Sequence, residues 1–198
     1  MNLANQLTMA RILMALAMVF ALMHSNPGWH VAAFGLFAAA LVTDWVDGYV
    51  ARLTNTISAF GKIADPIADK ILVLGALIAL LEKRELDIPP WGVFLIVARD
   101  LLLGGVRTLA AVQGKIMAAE KWGKWKMGVQ SGAVLLMLAI LVARENFAQT
   151  GPSRLGEPVW TWLTRLPYPL TVLCVLLTWA SAYFYYRQSR RMIESSWR

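Results

Sequence analysis

The sequence predicts an all-α integral membrane protein with six transmembrane helices and a short N-terminal interfacial helix, forming one domain over residues 1–198. Three observations predict this fold class. The hydrophobic share is 58%, above the roughly 45–50% that is typical of soluble domains. Charged residues make up only 16%, against about 25% in soluble domains. The apolar residues form repeated runs close to the length of about 20 residues that crosses a bilayer.

The elements follow from these runs in chain order. Residues 1–11 alternate polar and apolar side chains, which favours a short interfacial helix leading into the first span. Pro66 falls near the start of the third span, where a helix tolerates proline. A polar loop with Gly156 and Pro158 leads to the last span. The six predicted spans cover residues 7–23, 29–46, 64–81, 91–112, 129–142 and 169–186.

The net charge of +7 does not indicate a nucleic-acid partner, because lysine and arginine gather at the ends of apolar runs. That distribution is typical of membrane orientation and of contact with anionic lipid headgroups. It predicts a multi-pass protein of the inner (plasma) membrane with both termini in the cytoplasm. The single cysteine, Cys174, lies in an apolar run and is interpreted as a buried structural thiol.

Four aspartates between the second and third spans are the strongest candidates for chemistry: Asp44, Asp47, Asp65 and Asp69. The members of each pair are three or four residues apart, so on a helix they share a face. Carboxylates beside a membrane are costly unless they bind something. Two facing acidic pairs suit two divalent cations roughly 3.5–4 Å apart, an arrangement used in phosphoryl chemistry.

A structural alternative is that these aspartates cap helices or pair with neighbouring cations. Asp65 precedes Pro66 and has the position of an N-cap. Arg52, Lys62 and Lys70 are the candidate ionic partners. This alternative explains one or two of the four carboxylates and leaves the others uncompensated at a membrane face.

The pattern D-x2-D-G-x2-A-R-x8-G-x3-D-x3-D is complete here and resembles the signature of the CDP-alcohol phosphatidyltransferase family. The resemblance implies six membrane helices, a cytoplasmic site and a homodimer. It also implies transfer of a phosphatidyl group from a CDP-linked lipid to an alcohol, with release of CMP. By resemblance the four aspartates hold two divalent cations, Mg2+ or Mn2+, and Asp69 is also the general base. The positions that the resemblance places against the CDP-lipid are Gly48, Ala51, Arg52, Ser58 and Gly61.

The opening Asn5-Gln6-Leu7-Thr8-Met9-Ala10-Arg11 resembles the N-x-L-T-x-x-R start of bacterial phosphatidylglycerophosphate synthases, a group within that family. Asn5 and Thr8 are therefore candidates for contact with the CDP-lipid, although interfacial anchoring explains Thr8 and Arg11 equally well. Glycerol 3-phosphate, the acceptor in that group, carries a phosphate that requires cationic side chains. The candidates for that role are Arg99, Arg107, Lys124 and Lys126.

Several alternatives stay open. A purely structural ion pair is the alternative for Arg99, with Asp100 or one of the four motif aspartates as its partner. Another acceptor, such as an inositol phosphate, serine or phosphatidylglycerol, is compatible with the same motif. A cation transporter with an acidic site is the alternative from another class, although its carboxylates would lie near the middle of the membrane. His24 and His30 fall on the opposite side of the membrane and receive no role.

Overall fold

The computed structural model describes the backbone of residues 3–54, 59–112, 121–149 and 156–196, and the side chains of residues 6–46, 64–65, 67–106, 125–146 and 159–187. Within these ranges every regular element is an α-helix. The helices are α1 (Leu3–Met23), α2 (Pro27–Thr54), α3 (Ala59–Leu80), α4 (Pro90–Val112), α5 (Lys121–Gln149), α6 (Gly156–Arg165) and α7 (Pro167–Ser196).

Proline marks the start of three helices, at Pro27, Pro90 and Pro167. The first position of a helix tolerates proline because its missing N–H has no partner there in any case. Before α2, the side chain of Asn26 accepts a hydrogen bond from the backbone N–H of Gly28 at 2.8 Å. This contact caps the first turn of α2 and fixes where the chain reverses after α1.

The chain divides into two compact units. The first unit consists of Met1–Asp87 and Val134–Pro167, and the second consists of Ile88–Ala133 and Tyr168–Arg198. The first unit therefore holds α1, α2, α3, α6 and the C-terminal part of α5. The second unit holds α4, the N-terminal part of α5 and almost all of α7.

In the first unit α1 packs against both α2 and α3. Small side chains line the buried faces, including Ala15, Ala33 and Ala68, each 0% exposed. Small residues let helices in membrane proteins approach closely. At Gly75 the approach is tight, because an added Cβ would lie 3.0 Å from Cγ2 of Val19. The packing brings the polar N-terminal half of α1 against the segments that carry the aspartates.

The second unit has a core of mixed character. Val93 and Ile96 of α4 are buried together with Cys174 and Val175 of α7. Cys174 is a free thiol, as the sequence predicts. Buried polar side chains accompany this apolar core, namely Arg99, Asp100, Lys126, Gln130, Thr171, Thr178 and Ser181.

Four stretches within the described residues are long and apolar enough to cross a membrane: Gln6–Met23, Pro27–Val46, Trp125–Asn146 and Val159–Arg187. They match the predicted first, second, fifth and sixth spans, so the chain is a multi-pass membrane protein. The predicted third and fourth spans form α3 and α4. These two helices are not among the four stretches, because charged residues such as Asp69 and Arg99 interrupt the continuous apolar length that a membrane span requires.

Three expectations differ from the structure. Asp65 and Pro66 do not stand at a helix start as an N-cap and a first-turn proline, because α3 begins at Ala59 and continues through both residues. The predicted short N-terminal helix is not a separate element, because α1 runs without interruption from Leu3 to Met23 and contains no proline or glycine. The predicted polar loop before the last span contains α6, a helix of 10 residues. Pro158 does not prevent α6, because it lies in the first helical turn, where its ring displaces no intrahelical hydrogen bond.

Candidate active site

The aspartate motif is carried by two helices of the first unit. Asp44 and Asp47 lie three residues apart on α2, and Asp65 and Asp69 lie four apart on α3. Both spacings place the members of a pair on one helical face. The side chain of Asp44 is 50% exposed and that of Asp69 is 31% exposed, so both are accessible to a ligand.

Helix α1 supplies the side chains that these carboxylates contact. Thr8 and Arg11 are three residues apart on α1 and are 1% and 0% exposed. The Thr8 hydroxyl donates a hydrogen bond to Oδ1 of Asp65 at 2.7 Å. Nη1 of Arg11 lies 2.8 Å from Oδ1 of Asp44 and 3.1 Å from Oδ1 of Asp69. One guanidinium nitrogen therefore bridges the two halves of the motif.

This bridge adds a partner that the sequence did not suggest for the motif. The ionic partners considered there were Arg52, Lys62 and Lys70, all of them close in sequence, whereas Arg11 and Asp69 are separated by 58 residues. The side chains of Arg52 and Lys62 lie outside the described residues. The signal that could have identified Arg11 is its spacing of three residues from Thr8 on α1. Thr8 and Arg11 are buried against carboxylates, so interfacial anchoring does not describe them.

The donor set suits hard divalent cations. Carboxylate oxygens are the ligands that Mg2+ prefers in proteins, and oxygens of Asp44 and Asp69 already face a common positive charge. Among the described side chains, no group of three or more His, Cys, Asp or Glu is arranged as a metal site. The Asp47 side chain lies outside that set. The carboxylates of Asp44 and Asp69 fit a divalent cation in their chemistry and because both contact the same positive charge.

Many of the predicted site residues lie outside the described side chains. These are Asn5, Asp47, Gly48, Ala51, Arg52, Gly61, Arg107 and Lys124, and for Ser58 the backbone is outside the described residues as well.

The second unit holds a separate buried ionic cluster. Nη1 of Arg99 donates to Oδ1 of Asp100 at 2.9 Å, and Nη2 of Arg99 donates to the hydroxyl of Ser181 at 2.8 Å. The ammonium of Lys126 lies 2.5 Å from the same Asp100 oxygen. Asp100 is thus confirmed as the partner of Arg99. Among the described side chains, two cations contact one buried carboxylate here.

His30 is a buried polar residue to which the sequence assigned no role. It is 1% exposed. Its Nδ1 lies 2.6 Å from a carboxylate oxygen of Glu145, and its Nε2 lies 2.7 Å from the backbone carbonyl of His24. Through these two contacts the ring joins α5 to the turn after α1. This is a structural tie within the first unit.

Comparison with known proteins decides the family. The sequence profile of the CDP-alcohol phosphatidyltransferases matches residues 1–180. The chain belongs to the CDP-alcohol phosphatidyltransferase family. This phosphatidyltransferase is therefore an enzyme, and the transporter alternative is set aside.

Two similar proteins carry the name CDP-diacylglycerol–glycerol-3-phosphate 3-phosphatidyltransferase. The one from Bacillus subtilis is 40% identical over 150 residues, which cover 69% of this chain and 76% of that protein. The one from Mycoplasma genitalium is 32% identical over 190 residues, covering 87% of this chain and 78% of that protein. A rice protein named cardiolipin synthase (CMP-forming) is 33% identical over 151 residues, covering 70% of this chain and 46% of that protein.

Proposed function

We propose that this enzyme transfers the phosphatidyl group of CDP-diacylglycerol to sn-glycerol 3-phosphate, giving phosphatidylglycerophosphate and CMP. The observation that carries the proposal is that one carboxylate of each aspartate pair contacts Arg11, at 2.8 Å for Asp44 and 3.1 Å for Asp69. One carboxylate of α2 and one of α3 therefore lie close to the same guanidinium nitrogen. The names of the bacterial relatives support the choice of acceptor.

In this proposal Asp44, Asp47, Asp65 and Asp69 hold two divalent cations, Mg2+ or Mn2+. When bound, the cations neutralise the pyrophosphate of the CDP-lipid and make its phosphorus more electrophilic. Asp69 takes the proton from the attacking hydroxyl of glycerol 3-phosphate. The hydroxyl oxygen forms a new bond to the phosphatidyl phosphorus while the bond between that phosphorus and the CMP oxygen breaks. CMP leaves with the electron pair of the broken bond.

The remaining motif residues bind the CDP-lipid. Gly48 and Gly61 have no side chain, so the nucleotide can approach the backbone closely. Arg52 suits a bidentate contact with phosphate. Ala51, Ser58, Asn5 and Thr8 complete the proposed binding surface. Thr8 also positions Asp65, because its hydroxyl donates to that carboxylate at 2.7 Å.

The phosphate of the acceptor is assigned to Arg99, Arg107, Lys124 and Lys126. Support comes from the cluster of the second unit, where the cationic side chains of Arg99 and Lys126 both contact Asp100. Arginine and lysine side chains suit a dianionic phosphate better than a neutral acceptor such as serine.

We further propose that all six long helices cross the inner (plasma) membrane, with both termini in the cytoplasm and the aspartates at the cytoplasmic face. The basic residues near the span ends then contact anionic lipid headgroups. Family resemblance favours a homodimer. These assignments place the site where CDP and a phosphorylated acceptor are available.

One second candidate has a specific observation behind it. The rice relative named cardiolipin synthase (CMP-forming) covers 70% of this chain at 33% identity. Cardiolipin synthesis uses phosphatidylglycerol as the acceptor, and the motif itself serves either reaction.

The experiment is a CMP-release assay on purified protein with CDP-diacylglycerol and four acceptors: glycerol 3-phosphate, an inositol phosphate, serine and phosphatidylglycerol. We expect CMP release that depends on Mg2+ or Mn2+ with glycerol 3-phosphate alone. Release with phosphatidylglycerol instead would transfer the assignment to the second candidate. Asp69→Asn is expected to lower turnover by about 10²–10⁴-fold, the usual contribution of a general base. Asp87→Asn, in an exposed loop, is the matched control.

A further inference from the structure

Arg11 occupies the space between two aspartates to which the proposed function assigns metal. Its Nη1 lies within 3.1 Å of Oδ1 of both Asp44 and Asp69. Arg11 itself is 0% exposed, whereas the two carboxylates are 50% and 31% exposed. The guanidinium of Arg11 is therefore buried between the packed helices, whereas the two carboxylates that it contacts are partly exposed to solvent.

A divalent cation held by these two carboxylates would compete with that nitrogen for their oxygens. It would also lie near the guanidinium, and two positive charges at short range repel each other strongly. Either the guanidinium turns away, or the metal binds less tightly than the carboxylates alone would allow.

The guanidinium also has a function when no metal is bound. Several carboxylates brought together without a cation repel each other and favour separation of the segments that carry them. Arg11 joins α2 to α3 through one nitrogen. Arginine suits this position better than lysine, since its planar head presents several donors in a fixed geometry.

We propose that Arg11 is a built-in placeholder for the metal: it holds Asp44 and Asp69 together in the metal-free enzyme and is displaced from them when a divalent cation binds. This inference rests on the proposed function, because it requires the motif aspartates to be the metal ligands. It adds a role for a residue outside the motif, that of setting metal affinity and keeping the empty site assembled.

The test compares Mn2+ binding by the parent protein and by Arg11→Gln, each purified in detergent and freed of metal by chelation and dialysis. Free Mn2+ is followed by its electron paramagnetic resonance signal, without substrate. If Arg11 competes with the metal, Arg11→Gln lowers the dissociation constant for Mn2+ by at least about tenfold, which corresponds to about 1.4 kcal/mol. Any tightening in Arg11→Lys, which keeps the charge, is expected to be smaller.

A thermal measurement supplies the second readout. Without metal, Arg11→Gln is expected to lower the apparent melting temperature by about 2–8 °C. Saturating Mn2+ should remove most of that difference. A purely structural arginine would lower the melting temperature equally with and without Mn2+.

Two controls separate charge from packing. Thr8→Val removes the neighbouring hydrogen bond to Asp65 and keeps the charge of Arg11, so it is expected not to tighten Mn2+ binding. Arg84→Gln removes one exposed positive charge of the first unit and should leave both readouts at the parent values.

Three results would overturn the inference. Unchanged or weaker Mn2+ binding in Arg11→Gln would mean that Arg11 organises the ligands without competing with the metal. If Arg11→Gln does not fold, weaker binding in Arg11→Lys has the same meaning. Absence of Mn2+ binding in the parent protein would remove the proposed metal centre itself, and the inference with it.

Discussion

Replacing Asp100 by asparagine tests the buried cluster of the second unit most severely. Asp100 accepts from Arg99 at 2.9 Å and from Lys126 at 2.5 Å, and the three residues are only 5–7% exposed. The substitution keeps the size of the side chain and removes its charge. Two buried cations are then left facing a neutral amide.

The expected magnitude follows from that burial. Removing one partner of a buried ion pair costs about 3–5 kcal/mol. Each kcal/mol shifts the melting temperature by about 2–4 °C in a protein of this length, so Asp100→Asn is expected to lower it by about 6–20 °C. Thermal unfolding in detergent measures the shift, with the exposed Asp87→Asn as control.

A double variant tests whether the unbalanced buried charge causes the loss of stability in Asp100→Asn. Asp100→Asn combined with Lys126→Met returns the cluster to its original net charge, so the pair is expected to be more stable than Asp100→Asn alone. Equal melting temperatures of Asp100→Asn and the Asp87→Asn control would refute the proposed cost of the unpaired cations. It is equally refuted if adding Lys126→Met lowers the melting temperature further.

Two further predictions concern the packing of α4 against α7 and the contact between His30 and Glu145. Gly92→Ala places a Cβ 2.7 Å from Cγ2 of Thr171. Such overpacking costs about 1–3 kcal/mol and should lower the melting temperature. Gly105→Ala is the control: an added Cβ there has nothing within 4 Å, so the melting temperature should not fall. Equal melting of the two variants would contradict the close approach of α4 and α7. Glu145→Ala leaves Nδ1 of the buried His30 without its acceptor at 2.6 Å, which costs about 1–3 kcal/mol. An unchanged melting temperature in Glu145→Ala would show that this contact does not stabilise the first unit.

The sequence predicted those parts of the enzyme that depend on local pattern. Apolar runs indicated the six long helices. The spacing of the aspartates identified the motif and its family, because the eight motif positions lie within one short stretch. The pairing of Arg99 with Asp100 was also accessible, since the two residues are adjacent in sequence.

What the sequence did not predict depends on contacts between distant segments. Arg11 and Asp69 are 58 residues apart, and His30 and Glu145 are 115 apart. No local pattern reports which faces of α1, α2 and α3 pack together, so contact of Arg11 with the motif aspartates was not predicted. Helix α6 was missed for a different reason. Gly156 and Pro158 indicate a turn by composition, but they stand in its first turn, where neither interrupts a helical hydrogen bond.

The central claim is that the motif aspartates of this chain catalyse phosphatidyl transfer to glycerol 3-phosphate. Its most direct test is incorporation of radiolabelled glycerol 3-phosphate into extractable lipid by the purified protein. Labelled lipid is expected only when both CDP-diacylglycerol and Mg2+ or Mn2+ are present, and chelation is expected to abolish the labelling. Unlabelled lipid under those conditions, from protein that still releases CMP with another acceptor, would contradict it.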